Sequence, residues 1–334
     1  MKIQTIILSF GLLFFVAGNA GCSPPTESVA TPSTASPTAL LSVRSSTGTI
    51  TPTITPAATD TPTSLAIPTL PVEQARNRLL ELLANNGGCR LPCLWSIAPG
   101  KSNYQEGRAI LLPLSSVAET VYFDSSSPDD ISPFYVEGDL RLNIRVAYLY
   151  GNDGIVSGIA FRAREEQVAT DSNGNLISTT PIYGLPTFIK RVEYYSLAHL
   201  LSEQGLPTSV MITSAGPSIN RRGSIFTQIV VLYPNQGIWA RYTTLVNEYE
   251  VGSIIKSCPI NAHVEMDLYP AGNPDSFYTL LDKTDWGTTK NSYKPLQEAT
   301  MMSVEQFYET FRQQTEKCIE TPVKIWPTQK PGGG

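Results

Sequence analysis

Five cysteines and two histidines make up most of the reserve of nucleophiles, metal ligands and near-neutral bases in this 334-residue chain. Cys22 stands apart near the N-terminus, which leaves Cys89, Cys93, Cys258 and Cys318. An even number of cysteines in an exported chain points to disulfides, with three connectivities open. Cys89 and Cys93 flank Arg-Leu-Pro in a tight loop that can close on itself, and Cys258 would then pair with Cys318. Zinc needs four convergent ligands, and Cys-x3-Cys with His199 and His263 far along the chain is a poor spacing for it. A redox pair would read Cys-x2-Cys, which this is not.

Other constellations also fall short of their chemistry. Gly100-Lys101-Ser102 ends like a phosphate-binding loop, but Trp95 stands where that loop needs its first glycine. A turn into a capped helix is the expectation there. Asp171, Asn173 and Asn175 alternate like the first ligands of a calcium loop. Leu176 occupies the position that needs glycine, and Ile182 the one that needs a closing glutamate. A Ser-His-Asp or Cys-His arrangement would have to use His199, within an apolar helical stretch, or His263, at the head of a strand. No Gly-x-Ser-x-Gly elbow is present. Paired carboxylates stay open, because their separation is a three-dimensional fact. Trp95, Trp239, Trp286 and Trp326 could line a carbohydrate platform, although such side chains more often fill cores. No catalytic, cofactor or metal site is therefore expected.

The elements that would position these residues can be read from periodicity. Ala75, Leu79, Leu82 and Leu83 fall at helical spacing within Val72 to Asn85, and Asn86-Gly87-Gly88 ends the helix. A second helix is predicted from Ser102, boxed by Gln105, to Pro113. The period then drops to two over Glu119–Asp124, Leu140–Tyr150 and Ile155–Arg164, with a turn at Gly151–Gly154. The cycle restarts with a helix capped by Ser196 and closed by Gly205. Strands follow at Ser209–Thr213, Ser224–Tyr233, Gly237–Leu245, Gly252–Ser257 and His263–Leu268, then short helices at Ser276–Leu281 and Ser303–Gln314. Helices segregated from antiparallel strands predict an α+β fold, in which two tandem helix-sheet modules can be drawn at 71–190 and 191–326, with a tail at 327–334.

Ahead of the folded part, Met1-Lys2, an apolar run from Ile6 to Ala17 and Ala20-Gly21-Cys22 have the layout of an export signal, residues 1–21. The run is too short to span a membrane comfortably. Ala-Gly-Cys22 resembles a lipobox, with Asn19 where leucine is usual, and the resemblance implies lipidation of Cys22. Between Ser23 and Leu70, 29 of 48 residues are Ser, Thr or Pro, and Glu27, Arg44 and Asp60 are the charged ones. Such a segment buries too little apolar surface to offset its ordering entropy, so 22–70 is expected to be a disordered tether. Stretched, it would reach about 150 Å. Charge is sparse at 16% of residues, with a net of −5 and no basic cluster, which argues against nucleic acid as a partner.

Two resemblances bear on function. Gly88-Cys89-Arg90-Leu91-Pro92-Cys93-Leu94-Trp95-Ser96-Ile97-Ala98-Pro99-Gly100-Lys101 resembles the opening of a family of functionally uncharacterised bacterial lipoproteins. Their pattern is Gly-Cys-x-Leu-Pro-Cys-Trp-Trp-Gly-Ile-x-Pro-Gly, here with Leu94 and Ser96 replacing Trp and Gly. Leu200-Leu201-Ser202-Glu203-Gln204-Gly205-Leu206-Pro207 supports it downstream. That resemblance implies an address rather than an activity. More loosely, Ile97-x-Pro-Gly-Lys before a helix and helix-Gly-Leu-Pro before a strand are similar to the helix-helix-sheet modules of BamE-like lipoproteins and β-lactamase-inhibitor-type proteins. This similarity implies a protein-binding platform. The expectation is a lipid-anchored protein on the extracytoplasmic side of a cell membrane, binding an envelope protein or glycan without chemistry of its own. The alternative is a carboxylate-dependent hydrolase or glycan-binding protein acting on envelope polymers.

Overall fold

The computed structural model describes residues 68–123, 128–172, 176–183, 190–214, 225–246, 254–283 and 290–326. Residues 1–67, with the expected export signal, Cys22 and most of the expected tether, and residues 327–334 lie outside them, as do Asn173, Asn175 and Trp286. The chain divides after Pro62, and everything below concerns the unit Thr63–Gly334.

Helix α1 (Val72–Asn85) buries Ala75, Leu79, Leu82 and Leu83 on one stripe. The three leucines alone contribute roughly 5–9 kcal/mol of gross burial energy. It stops because Asn86 turns left-handed at φ 54°, a conformation asparagine tolerates, and Gly87 and Gly88 follow at positive φ. Helix α2 (Tyr104–Leu111) begins one residue later than the predicted Ser102 box. Asn103 is the cap, its side chain accepting from the Glu106 N–H while Glu106 reaches back to the Asn103 N–H. Ser102 is unavailable for that role because its hydroxyl accepts the Ala98 N–H at 3.2 Å.

The strands then run β1 (Ala118–Tyr122), β2 (Asp129–Glu137), β3 (Leu140–Tyr150), β4 (Val156–Thr170) and β5 (Leu176–Ile182). Helix α3 (Leu197–Gln204) is capped by Ser196 and closed by Gly205. After it come β6 (Ser209–Ser214), β7 (Ile225–Tyr233), β8 (Ile238–Val246), β9 (Ile254–Ser257) and β10 (His263–Leu268). The turn into β8 needs a glycine at 237, where φ is 72° and a Cβ would lie 2.2 Å from the Tyr269 carbonyl oxygen. Helix α4 (Pro274–Leu281), the short β11 (Lys294–Pro295), α5 (Leu296–Thr300), α6 (Val304–Phe311) and β12 (Ile319–Pro322) complete the order. Ser303 and Gln306 form the capping box expected for α6.

All described pairings are antiparallel, so the chain is an α+β protein. A ten-stranded sheet runs β1-β2-β3-β4-β10-β8-β7-β6-β11, with β5 added to β4, and β12-β9 form a separate ribbon. Each half of the chain supplies a meander, and the two meet where β4 pairs with β10, Phe161 opposite Met266. The line drawn at residue 190 is therefore not a boundary between separate modules. One hydrophobic cluster joins Leu79 and Leu111 with Phe161, Leu200, Tyr242 and Phe307, and Thr63–Gly334 is a single compact unit. The inner sheet face packs on α1, α2, α3, α5 and α6 through this cluster. Helix α4 lies against the other face of the sheet. Its Phe277 and Leu281 pack with Val230, Leu232 and Trp239 of β7 and β8, side chains alternate to those in the main core.

Both disulfides join the pairs favoured by spacing, Cys89–Cys93 and Cys258–Cys318. The second fastens the end of β9 to the residue preceding β12, beside the Ser257–Ile319 pairing. The first sits in a knot centred on buried Asn86. Its Nδ2 donates to the Cys89 and Cys93 carbonyls, each at 2.8 Å, and its Oδ1 accepts the Trp95 N–H at 3.1 Å. The Trp95 indole N–H donates to the Tyr195 hydroxyl at 3.0 Å, and Tyr194 donates to the Cys89 carbonyl at 2.9 Å. The Cys89–Lys101 motif thus ties α1 to the segment leading into α3.

Candidate functional site

The strand period of two sends alternate side chains to opposite faces, and here the two faces differ in chemistry. On β3, Leu142, Ile144, Val146 and Tyr148 enter the core, and Arg141, Asn143 and Arg145 take the other side. On β4 the outer set is Arg162, Arg164 and Glu166; on β10 it is His263, Glu265 and Asp267; on β8 it is Arg241 and Thr243. Helix α4 covers this outer face only towards β7 and β8. The rest is an open trough of about 730 Å³ that reaches from Glu119 and Thr120 on β1 to Phe226 and Gln228 on β7. A second depression of about 520 Å³ shares Thr120, Asp130, Arg145 and Arg162 with it.

Across the trough, guanidinium and carboxylate groups are interleaved. Arg162 reaches Glu265 at 3.0 Å and Asp267 at 2.8 Å, and donates to the Met266 carbonyl at 2.9 Å. Glu265 is shared with Arg241. Arg145 holds Asp130 at 2.6 Å and Arg164 holds Glu166 at 2.7 Å. Arg141, nearly buried beneath the Phe134 ring at 4.5 Å, pairs with Glu119. The hydrogen bond from Arg141 holds the Glu119 carboxyl below the usual range against the pull of desolvation. The hydrogen bond to Asp130 raises the Arg145 guanidinium. At Arg241, burial works downward, and the charge and hydrogen bond of Glu265 more than reverse it. Asp267, almost fully buried, is raised by desolvation, with Arg162 opposing.

At the β7–β10 end stands an aromatic wall. The Tyr183 ring lies flat on His263, 3.9 Å between centroids, and meets the exposed Phe226 edge-on at 5.8 Å. His263 Nε2 is 2.7 Å from the Ile182 carbonyl; a carbonyl accepts, so that nitrogen carries the proton in the neutral ring. Burial brings the imidazole down to about 4, the Ile182 bond pulling upward and the Arg164 charge adding to the fall. A different polar cluster lies on the inner face. Asp129 is fully buried, and its Oδ1 accepts from the Tyr150 hydroxyl at 3.2 Å. Desolvation raises this carboxyl to about 7 against the Tyr150 bond and the Arg108 charge.

The residues singled out by type in the sequence scatter. His199 packs on the Tyr194 ring in the helix layer, 4.4 Å between centroids. Gly100, Lys101 and Ser102 form the turn before α2, held by the Lys101 and Ser102 N–H groups donating to the Ala98 carbonyl. Trp95, Trp239 and Trp326 are each buried, so among the described residues the tryptophans make no platform. Among the described residues, no group of three or more His, Cys, Asp and Glu is arranged to hold a metal ion. No described helix is long and apolar enough to cross a membrane. Of the residues considered from sequence, His263 alone lines the trough; its arginines and carboxylates went unremarked. Their signal was present as Arg141-x-Asn143-x-Arg145 and Arg162-x-Arg164-x-Glu166, polar positions alternating with apolar ones.

Comparison with protein-family models, curated proteins and solved structures returned no match. The trough's own chemistry is what bears on function. It offers paired charges and aromatic surface in an open depression, where each carboxylate named above is engaged by an arginine.

Proposed function

We propose that this protein is a non-catalytic docking module, held at the outer side of a cell membrane through lipidated Cys22, that binds a protein partner on the outer face of its sheet. The observation that carries the docking reading is the open, arginine- and tyrosine-bearing trough on a sheet whose other face is sealed by helices. Arginine and aromatic side chains are enriched in the energetically dominant parts of protein interfaces. A hydrolase would need a carboxylate free to exchange a proton with substrate, whereas Glu265, Asp267, Asp130 and Glu166 are spent on guanidinium groups.

The docking reading is tested by photo-crosslinkers placed in the full chain at Thr120 and Phe226 in the trough, with Gln74 on α1 as comparison. The expected outcome is adducts to the same partner from both trough positions and none from Gln74. Adducts from Gln74 alone would overturn it. The anchor is tested separately: palmitate labelling in cells should be lost in Cys22→Ser, and labelling that persists would refute lipidation at that residue.

A further inference from the structure

The paired charges of the trough are layered by depth. The Arg145 side chain is 61% exposed and its partner Asp130 18%. Arg164 is 54% exposed and Glu166 beneath it 1%. Arg162 is 31% exposed, over Asp267 at 8%. In these three pairs the guanidinium is the outer partner, whereas Glu119 at 41% lies outside Arg141 at 4% and Glu265 at 24% outside Arg241 at 16%. The guanidinium-bearing part of the trough is therefore the stretch of Arg145, Arg162 and Arg164. A guanidinium has five N–H donors in a planar fork. Among the described residues Arg164 spends Nε on Glu166, which leaves the outer edge of its fork for another acceptor.

Register adds a second observation. Arg145 and Arg162 lie directly opposite each other across β3 and β4. Like charges at that separation are unfavourable in a sheet, and a carboxylate placed beside them lowers the repulsion while accepting from Arg145. A third is the Thr243 hydroxyl, which lines the same trough, is buried, and has no hydrogen-bond partner among the described residues. A buried polar group left unpaired costs about 1–3 kcal/mol, a penalty that a ligand bearing a polar group removes.

We propose that the trough recognises an acidic, extended protein segment, its carboxylates meeting the outer edges of Arg145 and Arg164 and its apolar or aromatic side chains meeting Tyr183 and Phe226. The inference rests on the docking reading and names the chemistry of the partner. The guanidinium fork matches a carboxylate bidentately, and the adjoining aromatic wall suits side chains of a peptide better than a bare anionic polymer.

The test measures fluorescence anisotropy of a labelled Glu/Tyr copolymer with the full chain, alongside a Lys/Tyr copolymer and dextran sulfate. Binding of the Glu/Tyr copolymer should weaken with salt and fall by roughly tenfold or more in R145Q/R164Q. The Lys/Tyr copolymer should not bind, and Arg78→Gln on α1 should change nothing. Arg145→Gln alone, at a largely exposed position, should show part of the loss if the double variant folds poorly. Absence of Glu/Tyr binding, or binding indifferent to both variants, overturns the proposal. Dextran sulfate bound in preference, with the same dependence on the arginines, overturns it in favour of an anionic polysaccharide. If the trough photo-adducts form and excess Glu/Tyr copolymer does not suppress them, docking stands and the acidic chemistry falls. If neither adducts nor copolymer binding occur, both fall.

Discussion

Asp129 and His263 are buried titratable groups whose shifts have opposite consequences for stability. The Asp129 carboxyl, raised to about 7 by burial, is protonated in the folded chain at pH values where the unfolded chain, with an aspartate pKa of about 3.9, has already lost the proton. Its contribution is thus complete at low pH and is lost as pH rises from roughly 4 to 7. The His263 ring, lowered to about 4, stays neutral when folded while the unfolded imidazole titrates near 6.5. Its contribution is complete above that value and is lost as pH falls from roughly 6.5 to 4. Over the shared window the two slopes oppose. Asp129→Asn should therefore gain stability relative to the parent at pH 8, on the order of 2–4 kcal/mol, and expose a decline on acidification. His263→Gln should expose the reverse, a rise on acidification. Chemical denaturation at half-unit pH intervals checks both, and parallel profiles for the parent and the two variants would refute the assignment.

Among the elements, legibility followed periodicity and punctuation. Helix α1 and strand β3 were readable to the residue, because one has four apolar positions at helical spacing before Asn-Gly-Gly and the other alternates cleanly. Strand β2 was not predicted; Pro133 and the paired aspartates within it are poor strand formers. The strand accommodates them where its register with β1 shifts and where Asp129 meets Tyr150 instead of solvent. Strand β4 was ended too early, at Arg164, since Glu165-Glu166 reads as polar surface. Glu166 is in fact buried under Arg164, opposite Arg141, a partner that only cross-strand register supplies. The trough was illegible for the same reason, being assembled from strands of both halves. The Cys89–Trp95 segment stood out in the sequence, and its prominence is structural. Asn86→Ala should cost about 3–5 kcal/mol, because it leaves the Cys93 carbonyl and the Trp95 N–H without their partner, takes one of two donors from the Cys89 carbonyl and forces alanine into the left-handed region. Asn86→Gly should recover only about 1 kcal/mol of that. Equal melting temperatures for the parent and both variants would show the knot to be dispensable.

For the unit Thr63–Gly334, one ten-stranded sheet and one main core predict one cooperative transition, although the chain is long enough for two average domains. Calorimetry of the oxidised protein should show a single peak; two resolved peaks would mean that the β4–β10 seam fails to couple the halves. The disulfides reinforce that unit unequally. Closing a span of 60 residues, Cys258–Cys318 should contribute about 4 kcal/mol, against about 2 for Cys89–Cys93 with its separation of 4. Paired Cys→Ser variants compared under non-reducing conditions should reproduce that order.

The seam also imposes a timetable. During synthesis, residues 156–170 are complete well before residues 263–268, the strand that must lie beside them at the centre of the sheet. Until β10 arrives, the first half of β4 has a strand on its β3 edge alone, and the loop to be closed spans most of the second meander. The middle of the sheet is accordingly closed only after residue 268 has been made, so the two meanders become one body late in the history of each chain.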